Sequence, residues 1–185
     1  MSILDYIEFF PGFVDGKLCD ELISHYKENA KWESSTFSDG TGIMTQTAER
    51  VKMEEFWIQQ DMKFYSEFQA HFQKAVVKYL QKHPKFEPQR FTPFRLNHYP
   101  VGGFMEQHID NIHHSHGQQF GYPHVTVLVM LNDNYEGGEF DLCDGGFVPE
   151  TQQGSVIVFP SNFMYPHQVQ KVTSGDRFSL MTWIM

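Results

Sequence analysis

Cysteine is scarce in this chain, and two residues, Cys19 in a helical pattern and Cys143 beside a Gly-Gly turn, cannot build a disulfide framework. A reducing compartment is compatible with both. No hydrophobic run approaches the ~20 residues a transmembrane helix needs. The opening stretch MSILDYIEFFPGF is acidic and has no basic segment ahead of its apolar residues, so a soluble, unexported, cytoplasmic protein is expected. Positive charge is also short: 14 Lys and Arg face 23 Asp and Glu, for a formal charge of -9, and no basic stripe is visible. That balance opposes binding along a nucleic-acid backbone and leaves a protein or small-molecule partner. What is plentiful is apolar and aromatic material, 41% and 16% of 185 residues, enough for one substantial core and one domain over 1–185.

The first half reads as helical support. Asp15 is placed to cap a helix over residues 17–28, with Leu18, Leu22 and Ile23 on its buried side. Residues 61–82 carry Phe64, Phe68, Phe72, Val76 and Tyr79 at helical spacing before His83-Pro84 stops the pattern. This stripe suits a helix bracing one face of a sheet. The polar stretch 32–51 between the helices is expected to form strands or an arm over the substrate entrance. From residue 91 onward strand signals dominate: FRLNHY, FMEQH, HVTVLVML, EFDLC, SVIVF, HQVQKV and RFSLMTWI, separated by Gly, Pro or Asn-Asp turns. VTVLVML is almost continuously apolar and is expected at the centre, buried on both faces. Gly137-Gly138 marks a tight turn or a close backbone approach. The expected fold is mainly β with N-terminal α-helices: a double-stranded β-helix, a cupin-like jelly roll, over 91–185, with the helices of 1–90 packed on its major sheet.

His108-Ile109-Asp110 and the distant His167 supply two imidazoles and a carboxylate, the ligand set of a facial metal triad. Three protein ligands leave three positions of an octahedral ion open, which is what a non-haem Fe(II) oxygenase requires. Strand alternation turns His108 and Asp110 to one face. An antiparallel barrel can bring His167 beside them. Downstream, Arg177-Phe178-Ser179 puts a guanidinium and a hydroxyl on one strand face, where they can clamp a carboxylate. A dicarboxylate that chelates iron at one end needs such a clamp at the other. His113, His114 and His116 lie in a polar, irregular segment and read as a loop at the mouth of the site rather than as a second metal centre.

Taken in order, these motifs resemble the prolyl-hydroxylase-like branch of the Fe(II)/2-oxoglutarate dioxygenases, from about Phe94 to Trp183. Tyr99-Pro100-Val101-Gly102-Gly103-Phe104 resembles the segment leading into that family's HxD. Leu131-Asn132 with Gly137-Gly138-Glu139-Phe140 resembles its LN…GG motif, and Gly154 through Phe159 its G…F strand. Pro166-His167-Gln168-Val169 resembles the PHxV around the distal ligand, and Arg177-Phe178-Ser179 with Trp183 the cosubstrate arginine, its partner hydroxyl and a pocket aromatic. Val127-Leu128-Val129-Met130 stands where oxygen-sensing prolyl hydroxylases carry a tyrosine, and Arg177 where collagen-type enzymes usually carry lysine. The resemblance implies His108, Asp110 and His167 as iron ligands, catalytic only in that sense, and Tyr99, Arg177, Ser179 and Trp183 around 2-oxoglutarate. It implies Fe(II) and 2-oxoglutarate as cofactors, ascorbate as a candidate reductant, and dioxygen with a prolyl residue of a peptide or protein as substrates. The alternatives are hydroxylation of a free amino acid or other small metabolite, and a noncatalytic metal-binding cupin-like module. A monomer and a homodimer are both compatible with the aromatic-rich helices.

Overall fold

The computed structural model describes residues 2–38, 44–45, 49–110 and 122–185. In chain order its elements are β1 (Glu8–Phe10), α1 (Gly16–Asn29), β2 (Glu33–Ser34), β3 (Phe37–Ser38), β4 (Met44–Thr45), β5 (Val51–Lys52), β6 (Glu54–Ile58), α2 (Tyr65–Lys82), β7 (Phe94–Tyr99), β8 (Phe104–His108), β9 (Val125–Met130), β10 (Glu136–Gly137), β11 (Phe140–Leu142), β12 (Val156–Pro160), β13 (His167–Val169), β14 (Val172–Ser174) and β15 (Arg177–Ile184). A major sheet of seven strands runs β1-β12-β9-β15-β7-β6-β2, and a minor sheet of four runs β11-β13-β8-β5. All neighbours in both are antiparallel. The two sheets and the N-terminal helices make the expected double-stranded β-helix.

Alternation along each strand divides the major sheet into two chemically different faces. Toward the helices point Val125, Val127 and Val129 of β9, Val156 and Val158 of β12, Phe94 and Leu96 of β7, and Phe178, Leu180 and Ile184 of β15, which join Leu22, Phe68, Phe72 and Val76 in one apolar cluster. Toward the minor sheet point Leu128, Met130, Ile157, Phe159, Met181 and Trp183, which pack with Met105, Phe140, Leu142 and Val169 in a second. Both β9 and β15 are buried along their whole length. The centre of the sheet is therefore shielded on both sides, as the run VTVLVML requires.

Asp15 caps α1 as expected, accepting from the Lys17 amide at 2.8 Å, and Cys19, Leu22 and Tyr26 form the buried side. Burial pushes the Cys19 thiol up to about 12, which leaves it a small core residue without nucleophilic character. The second helix starts later than its periodicity suggests. Phe64 adopts a left-handed backbone (φ 69°), so residues 61–64 form a turn and the helix begins at Tyr65. Its stripe braces the sheet as expected: Tyr65 stacks on Phe94 at 4.2 Å, and Phe72 meets the same ring edge-on at 4.8 Å.

The region 1–90 contributes more than helices. From it β1, β2 and β6 extend the major sheet and β5 extends the minor one. Within 32–51, β2 joins the major sheet and β3 pairs with β4, while residues 39–43 and 46–48 lie outside the described residues, as do His113, His114 and His116. Among the described residues no helix is long and apolar enough to cross a membrane.

Phe72→Ala removes a fully buried ring from the helix–sheet interface. It should lower the unfolding free energy by about 3–5 kcal/mol in denaturant titration; a loss below ~1 kcal/mol would show that this helix does not brace the sheet.

Candidate active site

The triad is assembled by strand register. His108 closes β8 and His167 opens β13, and the two are direct cross-strand partners, with ring centroids 4.3 Å apart. Asp110 lies beyond the end of β8 in a bend, so the bend and not strand alternation turns its carboxylate inward. Its Oδ1 is 3.8 Å from His108 Nε2 and its Oδ2 is 3.6 Å from His167 Nε2. The donor atoms all lie within 4.8 Å of one another, a spacing one metal ion can bridge.

The hydrogen bonds of the two imidazoles suit ligation. His108 Nδ1 donates to the Glu106 carbonyl at 2.9 Å and His167 Nδ1 to the Tyr165 carbonyl at 3.2 Å. Because a carbonyl only accepts, both rings carry a proton on Nδ1 and turn Nε2 toward Asp110. Burial, reinforced by the neighbouring His167, pushes the His108 imidazole down to about 3, so it stays neutral at ordinary pH. Burial alone opposes ionisation of Asp110, but the neighbouring His167 and a hydroxyl outweigh it and hold the carboxyl below its usual range. That hydroxyl belongs to Thr126, which donates to Asp110 Oδ2 at 2.6 Å. Ser161 lies 2.9 Å from Thr126 Oγ1 and, with the Thr126 proton committed, donates to it. Thr126 and Ser161 are buried and fix the carboxylate from behind, as outer-shell partners of metal ligands do.

Arg177, Ser179 and Trp183 lie on the inner face of β15, with Tyr99 of β7 directly opposite Arg177. The Arg177 side chain is 1% exposed and its guanidinium sits 5.1 Å over the Tyr99 ring. Its Nη1 donates to Ser179 Oγ at 3.2 Å, and Asn97 Nδ2 donates to the same oxygen at 3.3 Å, so the Ser179 proton is free to point elsewhere. Arg177 Nε is buried without a hydrogen-bond partner, and among the described residues no carboxylate pairs with this arginine. A buried guanidinium lacking a counter-anion is costly. The arrangement therefore fits a carboxylate that accepts from Arg177 and Ser179, such as the distal one of 2-oxoglutarate. Gly138 permits it: at φ +67°, a Cβ there would stand 3.0 Å from Arg177 Cδ.

The residues read from the sequence as iron ligands and cosubstrate contacts thus come together in one barrel, the triad at one end of the inner face and Arg177, Ser179 and Trp183 along β15. Sequence reasoning missed Thr126, Ser161, Asn97 and Arg95. Thr126 interrupts an apolar strand on its inner face, and that interruption is the signal that marks it.

The sequence profile of the 2OG-Fe(II) oxygenase superfamily matches residues 94–185. A PKHD-type hydroxylase of Stenotrophomonas maltophilia (strain R551-3) is 31% identical over 120 residues, covering 60% of this chain and 52% of that protein. Another, from Psychrobacter sp. (strain PRwf-1), is 30% identical over 115 residues, covering 57% and 44%. The chain spans about half the length of the curated relatives it matches. Among solved structures, a Pseudomonas putida prolyl-4-hydroxylase superposes with a TM-score of 0.72 at 19% identity, covering 96% of this chain and 91% of that one. A prolyl hydroxylase from Trichoplax adhaerens, solved with a hypoxia inducible factor peptide fragment, superposes with a TM-score of 0.75 at 17% identity, covering 98% and 84%. At these identities the structural likeness establishes the fold. The profile match, together with the triad of His108, Asp110 and His167, places residues 94–185 in the 2OG-Fe(II) oxygenase superfamily, with similarity to the PKHD-type hydroxylases.

Proposed function

We propose that this chain is an Fe(II)- and 2-oxoglutarate-dependent hydroxylase that acts on a prolyl residue of a peptide or protein. The observation that carries the cofactor assignment is the pairing, inside one barrel, of a triad whose donor atoms converge and a buried guanidinium that has no counter-anion among the described residues. His108, Asp110 and His167 would hold the iron. Arg177 and Ser179 would hold the distal carboxylate of 2-oxoglutarate, with Tyr99 and Trp183 as pocket walls. Once bound, iron and cosubstrate supply oxidative decarboxylation coupled to hydroxylation of an unactivated C–H bond.

The chain's own part is to bind, orient and keep dry. Thr126, backed by Ser161, holds one Asp110 oxygen and leaves the other for the metal. The Glu106 and Tyr165 carbonyls keep both histidines in the ligating tautomer. Leu128, Met130, Phe159 and Met181 fill the barrel between the sheets and exclude water from the reacting centre. No side chain need act as acid or base, because the hydrogen leaves the substrate as an atom.

Peptidyl proline is supported by the motif order and by relatives that carry the names PKHD-type hydroxylase and prolyl hydroxylase. Dioxygen as cosubstrate, ascorbate as reductant and a reducing cytoplasmic setting belong to the same proposal; Cys19 and Cys143 are both free thiols.

Arg177→Met should raise the 2-oxoglutarate dissociation constant by roughly a hundredfold, the worth of two charge-assisted hydrogen bonds, with little change in metal affinity. Calorimetry on Mn(II)-loaded protein measures both, and unchanged cosubstrate affinity would refute the clamp. A panel of proline-containing peptides should yield one that gains a single oxygen atom in step with succinate release. Succinate production across a broad panel with no mass gain would sink the prolyl reading while leaving the cofactor assignment standing.

A further inference from the structure

A second buried cation remains on the inner face once the cosubstrate clamp is assigned. Arg95 of β7 is 9% exposed and lies opposite Met181 of β15 and Trp57 of β6. Its guanidinium is 5.3 Å from the Trp183 ring, and Trp183 is the cross-strand partner of Thr126, the residue that holds Asp110. The arginine therefore stands on the metal side of the barrel.

The hydrogen-bonding capacity of Arg95 is largely unspent. Among the described residues its Nη2 meets only the Met181 sulfur, at 3.0 Å, a weak acceptor. Its Nη1 is 3.8 Å from Glu55 Oε2, beyond hydrogen-bond length, and its buried Nε has no partner among them. Glu55 cannot close the gap cheaply, because its oxygens are engaged elsewhere: Ser35 Oγ donates to Oε2 at 2.8 Å and Trp57 Nε1 to Oε1 at 3.2 Å. The carboxylate is thus held where it offsets the charge of Arg95 without consuming its donors. A buried polar group left this way is expensive unless a ligand completes it.

We infer that Arg95 is the substrate-binding cation of this site, donating to a neutral main-chain carbonyl oxygen beside the residue to be hydroxylated. The inference rests on the hydroxylase reading above and narrows its substrate class. Charge balance selects the carbonyl. Glu55 already offsets Arg95, so a free substrate carboxylate would add an uncompensated negative charge beside a buried ion pair. An amide carbonyl takes the same donors without that cost. The pocket therefore fits an N-acylated, amide-flanked proline and not the free amino acid.

The test is calorimetric titration of the Mn(II)- and 2-oxoglutarate-loaded protein with N-acetyl-L-prolinamide, with a longer blocked Ala-Pro-Ala peptide, and with free L-proline. Wild type should bind an amide probe more tightly than L-proline. Arg95→Met should weaken amide binding roughly tenfold or more, the worth of one charge-assisted hydrogen bond, and Arg95→Lys should fall between the two. The 2-oxoglutarate dissociation constant should stay within about twofold in both variants, far inside the effect of losing such a bond. Amide binding insensitive to Arg95, no binding of either amide probe by wild type, or preference for L-proline would each overturn the inference. So would loss of 2-oxoglutarate binding in both variants, which would assign Arg95 to the cosubstrate pocket or to the fold. If wild type fails to bind 2-oxoglutarate at all, the hydroxylase reading itself has failed.

Discussion

The centre of the seven-stranded sheet is buried on both faces, and that constraint governs everything placed on it. One face meets the helices and is mainly apolar at its centre. The other meets the minor sheet, where a polar side chain must find a partner inside the barrel or cost free energy. Some do find partners: Thr126 has Asp110 and Ser161, and Ser179 has Arg177 and Asn97. Others keep unmet donors or acceptors, namely Arg95 Nε, Asn97 Oδ1 and Arg177 Nε. These orphans sit along the same inner face as the triad's support. Each would be completed by a ligand that reaches the inner face, as the proposed cosubstrate and substrate do.

The triad depends on the minor sheet in a complementary way. Direct pairing of β8 with β13 sets the two imidazoles side by side, and a one-residue slip would turn one of them out of the barrel. The short bend after β8 then returns Asp110 to the same point, where Thr126 of the opposite sheet catches it. The metal site is thus a bridge between the sheets, and the carboxylate is the piece held from both sides. The clamp needs a different permission. Gly138 approaches Arg177 so closely that a side chain at that position would displace the guanidinium.

Much of this was legible in the sequence because period-two alternation survives full burial. In RFSLMTWI, Phe178, Leu180 and Ile184 point to the helices, whereas Arg177, Ser179, Met181 and Trp183 point inward. The strand therefore announces its functional face. Thr126 within VTVLVML carries the same signal in weaker form, a single hydroxyl that an apolar run easily conceals. Arg95 in FRLNHY is hidden for another reason, since an arginine in a half-polar strand reads as solvent-facing until its neighbours are known. The short strands of the first half escape for lack of length: β2 and β5 have two residues each, and β6 mixes charged and aromatic residues without clean alternation. The late start of α2 depends on the left-handed backbone of Phe64, which no side-chain pattern encodes.

The central claim is that one ion and one dicarboxylate assemble together on the triad and the clamp. Anaerobic titration of Fe(II)-loaded protein with 2-oxoglutarate tests it most directly, read by the weak visible metal-to-ligand charge-transfer band, with His108→Ala as the control. A band in wild type that is absent from the folded variant is the expected result. A folded, iron-loaded wild type that develops no band would contradict the account and leave a metal-binding barrel without oxygenase chemistry.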